Sequence, residues 1–131
     1  MQFAYTIVYV SDVDASLDFF ARAFGLKQRF LHESGEYGEL ETGTTTLAFA
    51  AHSIARANLG ADYVAADASP DPLGVEIGLV TDDVARACQQ AVEAGATLLT
   101  EPAAKPWGQT VAYLRCPDGT LVELCTAAPS R

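Results

Sequence analysis

The two halves of this chain repeat one another, and that fixes most of what it can fold into. Ile77, Val80, Asp82, Ala85, Ala91 and Gly95 lie 70 residues after Ile7, Val10, Asp12, Ala15, Ala21 and Gly25. Around these anchors each half carries the same local signals. Residues 3–10 (FAYTIVYV) form a β-branched and aromatic run of strand length, and Ser11-Asp12 stands where a helix N-cap belongs. Val13, Leu17, Phe20 and Phe24 then recur at spacings of four, three and four, with Asp14, Asp18 and Arg22 on the other face and Gly25 as the C-terminal stop. The spacing predicts a helix over 13–24. Three strand-length pieces follow, KQRFLHE, YGELET and TTLAFAAH, broken by Ser34-Gly35 and Gly43.

In the second half GVEIGLV is the strand, Thr81-Asp82 the expected cap, and 83–94 the helix. ATLLTEP, QTVAYLR and TLVELCT supply three more strands, the last two joined by the turn Cys116-Pro117-Asp118-Gly119. The expectation is a single α+β domain of two tandem βαβββ modules whose curled mixed sheets enclose a cavity. Module one spans 1–53 and module two 74–131. Residues 54–73, rich in Ala and Asp and containing Ser69-Pro70-Asp71-Pro72, read as a mobile connection with one helical turn near Ile54 to Asn58.

The charge balance narrows the partners. With 8 Lys+Arg against 17 Asp+Glu the net charge is −9, which opposes any electrostatic grip on nucleic acid or on anionic membrane surfaces. No run of apolar residues is long enough to span a bilayer, and the N-terminal segment lacks a basic leader. A cytoplasmic protein is expected. Cys88, Cys116 and Cys125 form no CxxC pair, so they indicate neither a disulfide framework nor a thiolate zinc site.

Two segments, VSDVDASLDFFARAFGL and PWGQTVAYLRCPDGTLVEL, resemble the vicinal oxygen chelate superfamily, which includes glyoxalase I, bleomycin-resistance proteins, fosfomycin-resistance enzymes and extradiol dioxygenases. The resemblance covers essentially the whole chain, and Pro117-Asp118-Gly119 followed by Glu123 is its most specific part. It implies a homodimer, and in metal-dependent members it implies four ligand positions, which fall here on Tyr5, Ala48, Glu76 and Glu123. Only Glu123 matches the family pattern well, and Ala48 has no donor atom. A zinc, nickel or iron(II) site needs imidazole or thiolate, and the two histidines, His32 and His52, lie away from these positions. No metal is therefore favoured. If one binds, Glu76 and Glu123 suit an oxygen-coordinated cation such as Mg²⁺ or Mn²⁺.

Strand alternation sketches the pocket. Gln109, Tyr113 and Glu123 are expected to face it, with Tyr5 placed to hydrogen-bond Glu123 and Tyr9 in the core. Glu123 is the candidate catalytic base or ligand anchor, since a carboxylate in a cavity must be hydrogen-bonded, paired or neutralised. Glu76 is a second carboxylate facing the cavity, or solvent if the register slips. Trp107 either stacks on a flat ligand at the pocket lip or plugs the open end of the core. Cys125 is expected on the face opposite Glu123, and His32 and His52 as surface or capping residues. No nucleophile elbow or phosphate-binding glycine loop is present. With the resemblance to the bleomycin-resistance branch, whose precedent is sequestration, the leading expectation is a protein that binds and sequesters a small organic molecule, cationic or aromatic, without a transition metal. The alternatives are a divalent-metal lyase, isomerase or dioxygenase, and a partner-binding module with a vestigial cavity. Metal content and metal-dependent turnover separate the binding protein from the enzyme.

Overall fold

Helix α1 (Val13–Phe24) begins where Asp12 accepts a hydrogen bond from the Ala15 amide and ends where Gly25 turns left-handed. Its predicted stripe is wider in the structure, because Ser16, Phe19 and Ala23 are buried beside Val13, Leu17 and Phe20. One flank covers its own sheet and the other packs against helix α3 (Val84–Ala94). Phe20 is wholly buried among Phe19, Phe24 and Phe49, with ring centroids 5.1 to 5.7 Å away, and burying such a ring stabilises the fold by roughly 2–3 kcal/mol.

The computed structural model describes residues 1–130. Module one contains β1 (Tyr5–Val10), α1, β2 (Gln28–Leu31), β3 (Tyr37–Leu40) and β4 (Thr46–Ala51), with sheet order β1-β4-β3-β2. Module two contains β5 (Glu76–Val80), α3, β6 (Thr97–Ala104), β7 (Thr110–Arg115) and β8 (Leu121–Cys125), with sheet order β5-β8-β7-β6. In each sheet the first strand pairs parallel to the last and the other pairs are antiparallel. The sheets remain two open four-stranded units, and the helix-facing residues of both join one hydrophobic core.

The repeat is real, but its offset is not uniform. Val10 is fully buried while Val80 is 66% exposed; a strict 70-residue match would put these two on the same face. Tyr5, Ile7 and Tyr9 correspond to Glu76, Gly78 and Val80, a shift of 71. The cap correspondingly moves from Asp82 to Asp83, whose carboxylate accepts from the Arg86 amide. The C-caps Gly25 and Gly95 do stand 70 apart, since α3 has 11 residues and α1 has 12. Replacing Asp83→Ala is expected to cost about 1 kcal/mol in urea unfolding and Asp82→Ala almost nothing.

The connection is more structured than its composition suggested. Helix α2 (His52–Leu59) starts directly at the end of β4 and spans two turns rather than one, and a 3-10 turn covers Ala66–Ala68. The Arg115 guanidinium of β7 donates to the carbonyls of Ala66, Ser69 and Pro70, which ties the segment to module two. The β7–β8 turn also reaches module one, where Asp118 accepts from Ser16 at 2.8 Å.

Candidate functional site

The face of each sheet turned away from the helices carries the polar groups. On module two, alternation puts Glu76, Tyr113 and Glu123 on that face of β5, β7 and β8. Tyr113 lies opposite Glu123 in the ladder and donates its hydroxyl proton to Glu123 Oε1 at 2.9 Å. That bond, with burial and the nearby carboxylates, pushes the Tyr113 phenol up. Burial and the charge of Glu123 raise Glu76 as well. Neither carboxylate is paired with a lysine or arginine among the described residues. Two uncompensated carboxylates therefore share one sheet face, an arrangement that attracts a cation.

Cys125 belongs to this group too. It lies two residues beyond Glu123, so both point to the same side of the pleat, contrary to the expectation of opposite faces. Burial and the neighbouring Glu123 carboxylate raise its thiol, which donates to the Leu79 carbonyl at 3.7 Å, and this makes it a poor nucleophile.

Tyr5 is placed elsewhere. It sits on β1 of the other sheet, 55% exposed, and Glu123 takes its hydrogen bond from Tyr113 rather than from Tyr5. On the module-one face the sequence reading missed a charged cluster. Glu39 accepts from Arg29 at 3.1 Å and from the Tyr37 hydroxyl at 2.7 Å, and Arg29 also donates to Thr46. Burial and Glu39 push the Tyr37 phenol well up. Glu39 pairs with Ala48 as Tyr113 pairs with Glu123, so the repeat itself marked this position.

Gln109 is already committed. Its amide donates to the Thr126 carbonyl and accepts from the Trp107 indole N–H, each at 2.8 Å. Trp107 is 58% exposed, so it does not plug the core. His32 caps its turn through Ser34, as expected. His52 does not behave as a surface residue, since both ring nitrogens are engaged, Nδ1 with the Tyr63 hydroxyl and Nε2 with Asp67.

A cleft of about 260 Å³ runs along the free edges of β1 and β5 beneath the connecting segment. Ile7, Tyr9, Tyr63, Val75 and Leu121 give it apolar walls, and Glu76 lies at its border. Tyr9, expected in the core, instead packs against Tyr63, with centroids 4.9 Å apart and the rings tilted by 55°. This apolar cleft thus abuts Glu76 of the carboxylate pair.

The family model described as the Glyoxalase/Bleomycin resistance protein/Dioxygenase superfamily matches residues 2–124. The chain belongs to this superfamily. A protein from Vibrio cholerae serotype O1 named probable lactoylglutathione lyase is 27% identical over 125 residues, covering 92% of this chain and 86% of that protein. A glyoxalase-related enzyme from Fulvimarina pelagi superposes with a TM-score of 0.82 at 22% identity, over 97% of this chain and 88% of that one. A glyoxalase/bleomycin resistance protein/dioxygenase family enzyme from Burkholderia phytofirmans PsJN gives 0.72 at 21% identity, over 94% and 96%. These two structures share the fold.

The superfamily's four metal positions are poorly furnished here. Tyr5 and Ala48 lie on one sheet and Glu76 and Glu123 on the other, Ala48 offers no donor, and both histidines are engaged elsewhere. Among the described residues no three His, Cys, Asp or Glu side chains converge to hold a metal ion. This donor set does not fit a transition metal. Partial desolvation and the charge of Glu123 make Glu76 hold its proton more tightly folded than unfolded, so ionised Glu76 costs stability above its folded-state titration and the cost fades as pH falls through it. Glu76→Gln should therefore stabilise the protein at neutral pH by a few tenths of a kcal/mol, solvent screening keeping the gain small. Thermal unfolding across pH checks this, with the advantage expected to vanish on acidification.

Proposed function

We propose that this protein binds a small organic cation with a flat apolar body, using the Glu76–Glu123 pair for the charge and the adjoining cleft for the body, without a transition metal. The carrying observation is the pair itself: two carboxylates on one sheet face without a basic partner among the described residues. Such a pair is least costly when a ligand brings the positive charge. The Tyr9–Tyr63 wall adds stacking area beside it. Equilibrium binding of a cationic acridinium dye against its neutral acridan analogue tests this reading. The cation should bind at least about 10-fold tighter, with affinity falling in salt; equal affinity would overturn it.

A second reading, a divalent-metal lyase, is supported by the name of the Vibrio cholerae relative and by the same carboxylates, which would suit Mg²⁺ or Mn²⁺. Selective stabilisation by one of those ions would favour it.

The binding unit is proposed to be a homodimer. The chain exposes 7812 Å², about 1,100 Å² more than a monomer of this mass would, and Tyr5, Ile7, Phe30 and Val80 are among its exposed large side chains. Equilibrium sedimentation distinguishes the states. No described helix is long and apolar enough to cross a membrane, and the three cysteines are free and buried, which suits a reducing cytoplasm.

A further inference from the structure

Three side chains outside the carboxylate site form a directed hydrogen-bond chain at the cleft. Asp67, on the 3-10 turn, accepts from the Ser11 hydroxyl at 2.5 Å and faces His52 Nε2 with both oxygens at 3.1 Å. Burial alone would raise Asp67, but the bonds from Ser11 and His52 outweigh it and hold the carboxyl below its ordinary range. An ionised carboxylate only accepts, so the proton on the imidazole lies on Nε2. Whenever the ring carries that single proton, Nδ1 has a free lone pair into which the Tyr63 hydroxyl, 2.5 Å away, donates. Oriented carboxylate, imidazole base and hydroxyl stand in the order that activates a nucleophile. The Arg56 guanidinium lies over the Tyr63 ring, 4.8 Å from its centroid, where it favours negative charge developing on the phenol. That ring also lines the cleft.

The geometry points to Tyr63 as an activated phenol that accepts acyl groups from small apolar esters held in the cleft. The Tyr63 oxygen attacks the acyl carbon as its proton passes to His52 Nδ1, and Asp67 stabilises the resulting imidazolium. The tetrahedral adduct collapses by breaking the acyl carbon–oxygen bond of the leaving group, which takes the proton back from His52. Water then attacks the acyl-tyrosine, giving its proton to His52 and releasing the carboxylic acid, while Tyr63 recovers its own proton. Asp67 is a positioning residue, since it acts only through His52. The size and apolar walls of the cleft select short-chain aryl or alkyl esters. This inference goes beyond cation binding and does not require it.

The test is acetylation of the full-length protein by p-nitrophenyl acetate, followed by peptide mass spectrometry at each of the 5 tyrosines. Tyr63 should be acetylated at least about 10-fold faster than the half-exposed Tyr5, and His52→Gln should slow it by about 100-fold. In His52→Gly, added imidazole should restore acetylation at Tyr63 specifically, a rescue that a purely structural role for His52 would not give. In Asp67→Asn, ¹⁵N shifts should show the His52 proton moved from Nε2 to Nδ1, with acetylation slowed. Tyr63→Phe controls for the label, and the cationic dye is titrated separately into the same wild-type protein, so cation binding and acetylation can fail separately. Wild-type Tyr63 acetylated no faster than Tyr5, or a rate indifferent to His52→Gln in a folded variant, overturns the assignment.

Discussion

Gly119→Ala is expected to destabilise the protein by about 3 kcal/mol, lowering the unfolding midpoint by roughly 10 °C. Two causes act together. Gly119 closes the β7–β8 turn with φ at 91°, where a side chain is strained. A Cβ there would also press into the Ala66 carbonyl and lie 2.7 Å from the Asp67 nitrogen. Those contacts are backbone, so no rotamer change relieves them. Arg115 holds the same segment from the other side, which leaves it little room to retreat. The loss should appear in urea unfolding as a lower midpoint with unchanged slope. Gly35→Ala offers the comparison: φ is again positive but nothing lies within 4 Å, so strain alone remains and the cost should be nearer 1 kcal/mol.

Glu123→Gln should weaken binding of an organic cation by about 10- to 100-fold, the value of one charge-assisted contact, with little change in stability. Gln keeps an acceptor for the Tyr113 hydroxyl and nearly the same volume, so the sheet face is preserved while a charge is removed. Removing that charge also relieves Glu76, which separates the variant from a folding defect. Titration of wild type and variant with the same cationic dye, alongside their unfolding midpoints, checks both halves of the expectation. Unchanged affinity in a folded variant would remove Glu123 from the centre of the site.

The modules were legible because their signals are local. Asp12, the apolar stripe of α1 and Gly25 each act within one helix, so α1 was readable to its termini. The one-residue error in the repeat arose where two candidate caps, Asp82 and Asp83, adjoin, and only the burial of the preceding strand decides between them. Strand alternation correctly joined Tyr113 to Glu123, and the same rule, carried two residues further, would have placed Cys125 with them. Contacts between distant segments were not legible. Nothing near His52 in sequence announces Asp67 or Tyr63 as its partners, because the turn at Ala66–Ala68 brings them together only when Arg115 and the β7–β8 turn pin it. Pro117-Asp118-Gly119 is informative in the same way: this family-like stretch serves here to join the modules, through Asp118 to Ser16 and Gly119 against Ala66.

The carboxylate pair serves either an organic cation or a metal. Thermal unfolding of chelator-treated protein in Mg²⁺, Mn²⁺, Fe²⁺, Ni²⁺ and Zn²⁺, and then in a panel of planar organic cations, measures this directly, because a ligand of the native state raises its midpoint. The prediction is a rise with organic cations that Glu123→Gln abolishes, and no selective response to any metal. A selective rise with one metal ion, lost in Glu123→Gln, would contradict it.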